Sequence, residues 1–280
     1  MTVSRLTGAI GATLIVACYS LVANAAGDDP PVAAGRDTGG RPVVIVGRGL
    51  DYRADAIASR MARDGEGEII GYDIVDDDRR PFALSVDTKV AETIISEGQT
   101  ATLIPIRVDI ANLQSVANAL EFGVKTPARV TLILGQNTAR DMRALLIAAS
   151  KLFPERLFIV AAGEGGFNLD TATADAMAQL PNVLIVTAVN ADAAMIPNSN
   201  FGPQSVDLAT VVDNPSQDAT EIAAARIAAL AVRLLAVAPD IDPAEAKGLI
   251  LALAVPWPPV GVTVSRAGWI AQPQKPWFLE

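Results

Sequence analysis

Not one of the 280 residues is histidine, so no imidazole is available as a general base anywhere in the chain. Cysteine occurs once, at Cys18, which leaves no disulfide within the chain and, if the N-terminal region is removed, no thiol chemistry either. A domain of this size can bury enough surface without such crosslinks. Basic residues are scarce, 22 Lys and Arg against 31 Asp and Glu, giving a formal net charge of −9. Such a surface repels phosphates, which makes nucleic acid a poor partner class and leaves cationic or mixed-charge partners open.

The N-terminus carries Arg5 and then no charge from Leu6 to Ala26. Ala23-Asn24-Ala25 fits the small-residue pattern of secretory cleavage, so residues 1–25 read as a signal peptide of an exported protein, periplasmic or secreted. Ile15-Val16-Ala17-Cys18 also fits a bacterial lipobox, which would acylate Cys18. The uncharged run is long enough to remain as a membrane anchor, since about 20 residues suffice. Contact with a membrane is expected only through this segment. Residues 26–41, rich in Gly, Pro, Ala and Asp, read as a disordered spacer.

Beyond it, apolar β-rich runs recur at 43–46, 102–108, 129–134, 156–162 and 183–189. Helical patterns fall between and after them, at 111–123, 139–152 and 219–237. This alternation predicts an α/β domain over 42–255 with a mostly parallel sheet covered on both faces. In 219–237, Ile222, Ala223, Ile227, Leu230, Ala231, Leu234 and Leu235 give a broad apolar surface. Asp242-Pro243 supplies a cap and first-turn proline for a following helix. Residues 256–280 form a Pro- and Trp-rich tail that holds all three tryptophans, either folded back on the domain or offered to a partner.

Several stretches resemble subtilisin-like serine peptidases. Val43 to Tyr52 is similar to the strand and turn that present the catalytic Asp in that family, but Gly47 stands at the Asp position. Val86 to Glu92 (VDTKVAE) matches the H-G-T-H-V-A-G run with Val86 at the His position. Glu164 follows Ala161-Ala162-Gly163 where the oxyanion Asn belongs, and Ala219 to Ala229 matches the nucleophile motif with Glu221 in place of Ser. Asn198 to Ala209 (NSNFGPQSVDLA) resembles the family's S-N-x-G-x-x-V-D-L-A stretch. The resemblance implies a subtilisin-like three-layer α/β domain whose inherited chemistry is gone. A hydrolase of this kind needs a nucleophile, a base and an oxyanion donor, and losing nucleophile and base costs on the order of a millionfold in rate.

The family frame makes Glu164 and Glu221 converge on one cleft, with Asp87 as a third carboxylate. Three readings stay open: hard-oxygen ligands for a cation such as calcium, a carboxylate pair with one raised pKa, or a solvated Glu164 beside a Glu221 held by the helix dipole. A calcium site at Asp76-Asp77-Asp78 competes with a solvated loop relieved by Arg79 and Arg80. Gly47-Arg48-Gly49 lacks the third glycine of a dinucleotide turn and reads as a tight strand-to-helix turn. Leu134-Gly135-Gln136 matches the strand end that lines the family's peptide cleft. The expected protein is an inactive peptidase-like module, without an established cofactor, that holds a polypeptide or an active peptidase; a subtilase-fold hydrolase with a non-standard carboxylate site is the alternative.

Overall fold

The computed structural model describes residues 29–135, 142–170, 180–213, 218–258 and 261–271. Strands β1 (Arg41–Gly47), β2 (Tyr72–Asp73), β3 (Ala101–Arg107), β4 (Val130–Ile133), β5 (Leu157–Ala161), β6 (Val183–Val189), β7 (Leu208–Val211) and β8 (Trp269–Ile270) form one sheet. Their order is β2-β3-β1-β4-β5-β6-β7-β8, and each neighbouring pair is parallel. The helices are α1 (Asp55–Ala58), α2 (Asp87–Glu97), α3 (Leu113–Gly123), α4 (Arg143–Leu152), α5 (Ala219–Val237) and α6 (Pro243–Leu251).

The run Val43-Val44-Ile45-Val46 shows why the strands are continuously apolar. Successive side chains point to opposite faces, and both faces are covered. Val43 and Ile45 pack in a core with Val90 and Ile94 of α2 and with most of α5. Val44 and Val46 pack in a second core with Val116 and Leu120 of α3 and Leu146 of α4. The result is the expected three-layer arrangement. Helix α5 is buried on nearly every side, because it lies against the sheet and is flanked by α2 and α6.

Cap chemistry sets two of the helix starts. Asn112 accepts from the amides of Gln114 and Ser115 at the start of α3, and Asp242 accepts from those of Ala244 and Glu245 at the start of α6. Replacing Asp242 with Ala is expected to cost about 1 kcal/mol, read as a lower urea midpoint. An unchanged midpoint would show that packing alone holds α6.

Two boundaries differ from the sequence expectation. Residues 29–40 are largely exposed, yet they do not behave as a free spacer. The Tyr52 hydroxyl donates to the Pro30 carbonyl at 2.7 Å and Arg63 donates to that of Ala33 at 2.7 Å. Those side chains catch backbone carbonyls, a contact that spacer composition does not reveal. The tail likewise does not start at 256. β8 extends the sheet, Val264 is core, and Val255 exchanges backbone hydrogen bonds with Trp269. Trp257 and Trp269 are half-buried against this small core, and Trp277 lies outside the described residues. No described helix is long and apolar enough to cross a membrane, and residues 1–28 lie outside the described part.

Candidate functional site

The parallel strands bring the C-terminal ends of β1, β4 and β5 side by side, and the start of α5 lies beside them. Each of these ends carries one of the residues singled out above. Gly47 ends β1, Leu134 and Gly135 follow β4, Glu164 follows β5, and Glu221 sits in the first turn of α5. Asp87 opens α2, directly after Val86.

At their centre is Arg48, a residue the sequence pattern assigned only to a turn. Its Nε and Nη2 donate to Asp87 Oδ1 at 3.0 and 2.6 Å, and its backbone amide donates to Asp87 Oδ2. The same Nη2 also pairs with Glu221 Oε2. Glu221 Oε1 accepts from the Gly135 amide at 3.0 Å. Asp87 and Glu221 are each 1% exposed, whereas the Arg48 side chain reaches solvent at 25%. One guanidinium thus bridges two buried carboxylates on separate helices.

Gly47 is required by the same arrangement. A Cβ there would collide with Asp87 Oδ2 and come within 3.2 Å of Leu134 Cδ1. The carboxylate comes from the helix side and fills the space that a strand-borne side chain would enter. Val86 is half-buried and is the N-terminal flanking residue of α2. Gly49 completes the turn at φ +91, and a side chain there would meet the Pro81 carbonyl at 2.9 Å. Gly47-Arg48-Gly49 is a tight turn, as expected.

Glu164 is 6% exposed, which rules out the solvated reading for it. Its Oε1 accepts from both the amide and the hydroxyl of Thr220, at 2.8 and 2.9 Å, and Asn198 Nδ2 reaches Oε2 at 3.4 Å. It therefore caps α5 from a different loop, satisfying a first-turn amide that has no helical acceptor.

Burial pushes the carboxyl of Glu164 up to about 7, against the hydrogen bonds from Thr220, and the nearby Glu221 and Asp218 raise it further. Burial also pushes Glu221 up to about 7, opposed by Arg48 and aided by Asp87 and Asp218. Asp87 is raised by burial too, against the pull of Arg48. Desolvation, rather than repulsion between Glu164 and Glu221, is the leading cause in each.

Arg48 stands between Asp87 and Glu221, where a cation shared by them would have to sit. The acidic group whose oxygens converge, among the described residues, is elsewhere: Asp29, Asp73 and Asp76, within 4.8 Å of one another. Arg107 donates to both Asp73 and Asp76 there, and the Arg80 amide donates to Asp78 at 2.7 Å. Asp77 instead accepts from the Tyr72 hydroxyl at 2.6 Å.

The peptide-cleft residues are less open than the sequence suggests. β4 is an inner strand with β1 and β5 on its two sides, and the Leu134 amide donates to the Val46 carbonyl at 2.9 Å. Leu134 is 1% exposed, and the Gly135 amide is engaged by Glu221. The two amides here are already engaged, that of Leu134 by β1 and that of Gly135 by Glu221. Gln136 lies outside the described residues.

No protein-family model matches the sequence, and no curated protein does. Solved structures are similar. A cold-adapted subtilisin-like serine proteinase superposes with a TM-score of 0.66 at 18% identity, covering 88% of this chain and 94% of the other. A lanthipeptide protease gives 0.65 at 16% identity, with 82% and 86% covered. The A-subunit of an AB5 toxin from E. coli gives 0.62 at 17% identity, with 82% and 90% covered. With its single parallel sheet, two packed faces and strand ends converging on α5, this chain has the subtilisin-like fold.

Proposed function

We propose that this is an exported, catalytically inactive subtilisin-like domain that holds a polypeptide, an active peptidase or its substrate, without cutting it. One observation carries the reading: Asp87, Arg48 and Glu221 form a buried ion-pair set in the place where the fold's nucleophile and acid-base groups would meet. The chain has no imidazole to replace them. Glu164, bonded to the Thr220 amide, adds negative charge where an oxyanion would need a donor. A ligand approaching the end of β4 would have to compete with Glu221 for the Gly135 amide, so binding there would be gated by this side chain.

The mature protein should give no turnover of casein or of a broad peptide library above buffer, with Glu164→Ala and Glu221→Ala variants indistinguishable from it. Turnover that persists through purification and disappears in either variant would overturn the reading in favour of a carboxylate-based hydrolase. Binding is tested by capture from envelope extract with the mature domain as bait. Peptide contact at the β4 end should be strengthened by Glu221→Ala, which removes the carboxylate that now accepts from the Gly135 amide, and capture unchanged by it would place the contact elsewhere.

A further inference from the structure

The joint between α5 and α6 leaves an open groove of about 600 Å³ at the end of α5 remote from Glu221. Leu234 and Val237 enter it from the last turns of α5, Ile241 from the connecting loop and Leu249 from α6. Leu234 is buried, Ile241 and Leu249 are half-buried, and Val237 stands 57% exposed. Apolar surface held together in water in this way gains by being covered.

The groove is built in advance of any ligand. Arg129 Nη2 donates to the Ile241 carbonyl at 2.8 Å and its Nη1 to that of Pro239, which fixes the loop between the two helices. Asp242 caps α6, which fixes the second wall. A ligand therefore spends little of its binding energy on ordering the site. Its charge is of one sign. Asp240 and Glu245 line it, both exposed, and no basic side chain does. Among the described residues neither carboxylate has an ion-pair partner. Gly248, three positions after Glu245 on α6, has nothing within 4 Å of where a Cβ would stand, so another chain can approach the helix backbone there.

We propose that this groove binds a polypeptide segment that carries a lysine or arginine beside apolar side chains. The apolar side chains cover Val237 and Leu249, and the basic one meets Asp240 and Glu245. The same two carboxylates repel anionic lipid surfaces and nucleic acid. The groove is separate from the β4 end, since Glu221 and Val237 lie about 24 Å apart along α5. Binding at one can therefore fail while binding at the other holds.

Seven-residue peptides selected from a random display library on the purified mature protein test this. They should be enriched in Lys or Arg next to Leu, Ile, Val or Phe. Resynthesised and measured by fluorescence anisotropy, they should bind about fivefold more weakly to Asp240→Asn or Glu245→Gln, the size of one exposed ion pair. Val237→Ser should weaken them about tenfold, through lost apolar burial. Salt at about 1 M should erase the effect of the two carboxylates and leave that of Val237. All three side chains are exposed, so the variants should keep the parent urea midpoint. Glu221→Ala should leave these affinities unchanged, which separates the groove from the strand-end site. Selected peptides without basic residues, or bound equally well by the three variants, would overturn the proposal, as would a library that yields no binder.

Discussion

Arg48→Met is expected to lower stability at pH 8 by about 3–5 kcal/mol, because it leaves Asp87 and Glu221 buried without their counter-charge. Both are 1% exposed, and water cannot replace the guanidinium without rearrangement of the helix starts that carry them. The loss should shrink in acid, where the two carboxyls protonate and the unpaired charge disappears. Arg48→Lys should fall between the two, since an ammonium supplies the charge but not the planar fork that spans Asp87 Oδ1 and Glu221. Urea titrations at pH 8 and pH 5 give all of these values. A loss under about 1 kcal/mol at pH 8 would mean that the ion pairs exchange freely with solvent, as surface pairs do.

Gly47→Asp should destabilise the domain. Its Cβ runs into Asp87 Oδ2, which alone costs about 1–3 kcal/mol as overpacking. A second buried carboxylate beside Asp87 adds to this. Asp87→Gly should also be costly, through the loss of the charge partner of Arg48. Combined, the two changes remove the collision and restore a carboxylate near the guanidinium. The double variant should therefore be more stable than the sum of the singles implies, by about 2 kcal/mol, within the range seen for residues in contact. Additive losses would show that Gly47 and Asp87 do not share one space.

Much of the fold was legible because burial on both faces writes itself locally. A strand covered on two sides is apolar along most of its length, and the runs at 43–46, 102–108, 129–134, 156–162 and 183–189 fall on β1, β3, β4, β5 and β6 to within two residues at each end. The span predicted for α5, 219–237, matches the observed helix at both ends. The short strands β2 and β8 have no such signal, since two-residue strands depend on a neighbour's edge rather than on their own pattern. The family resemblance located Glu164, Glu221 and Asp87 near one another before any geometry was known.

The sequence alone determined that no histidine could act here, that the strands would be buried and parallel, and that Glu164, Glu221 and Asp87 would supply a group of carboxylates. The tertiary structure decided how that charge is held. Arg48 lies 39 positions from Asp87 and 173 from Glu221, so no local periodicity links them. Whether a turn arginine points to solvent or into a cleft depends on what the opposing strands and helices leave open. Here Gly47 leaves that space, Asp87 fills it, and the guanidinium follows because two carboxylates withdrawn from water bind it more strongly than solvent does.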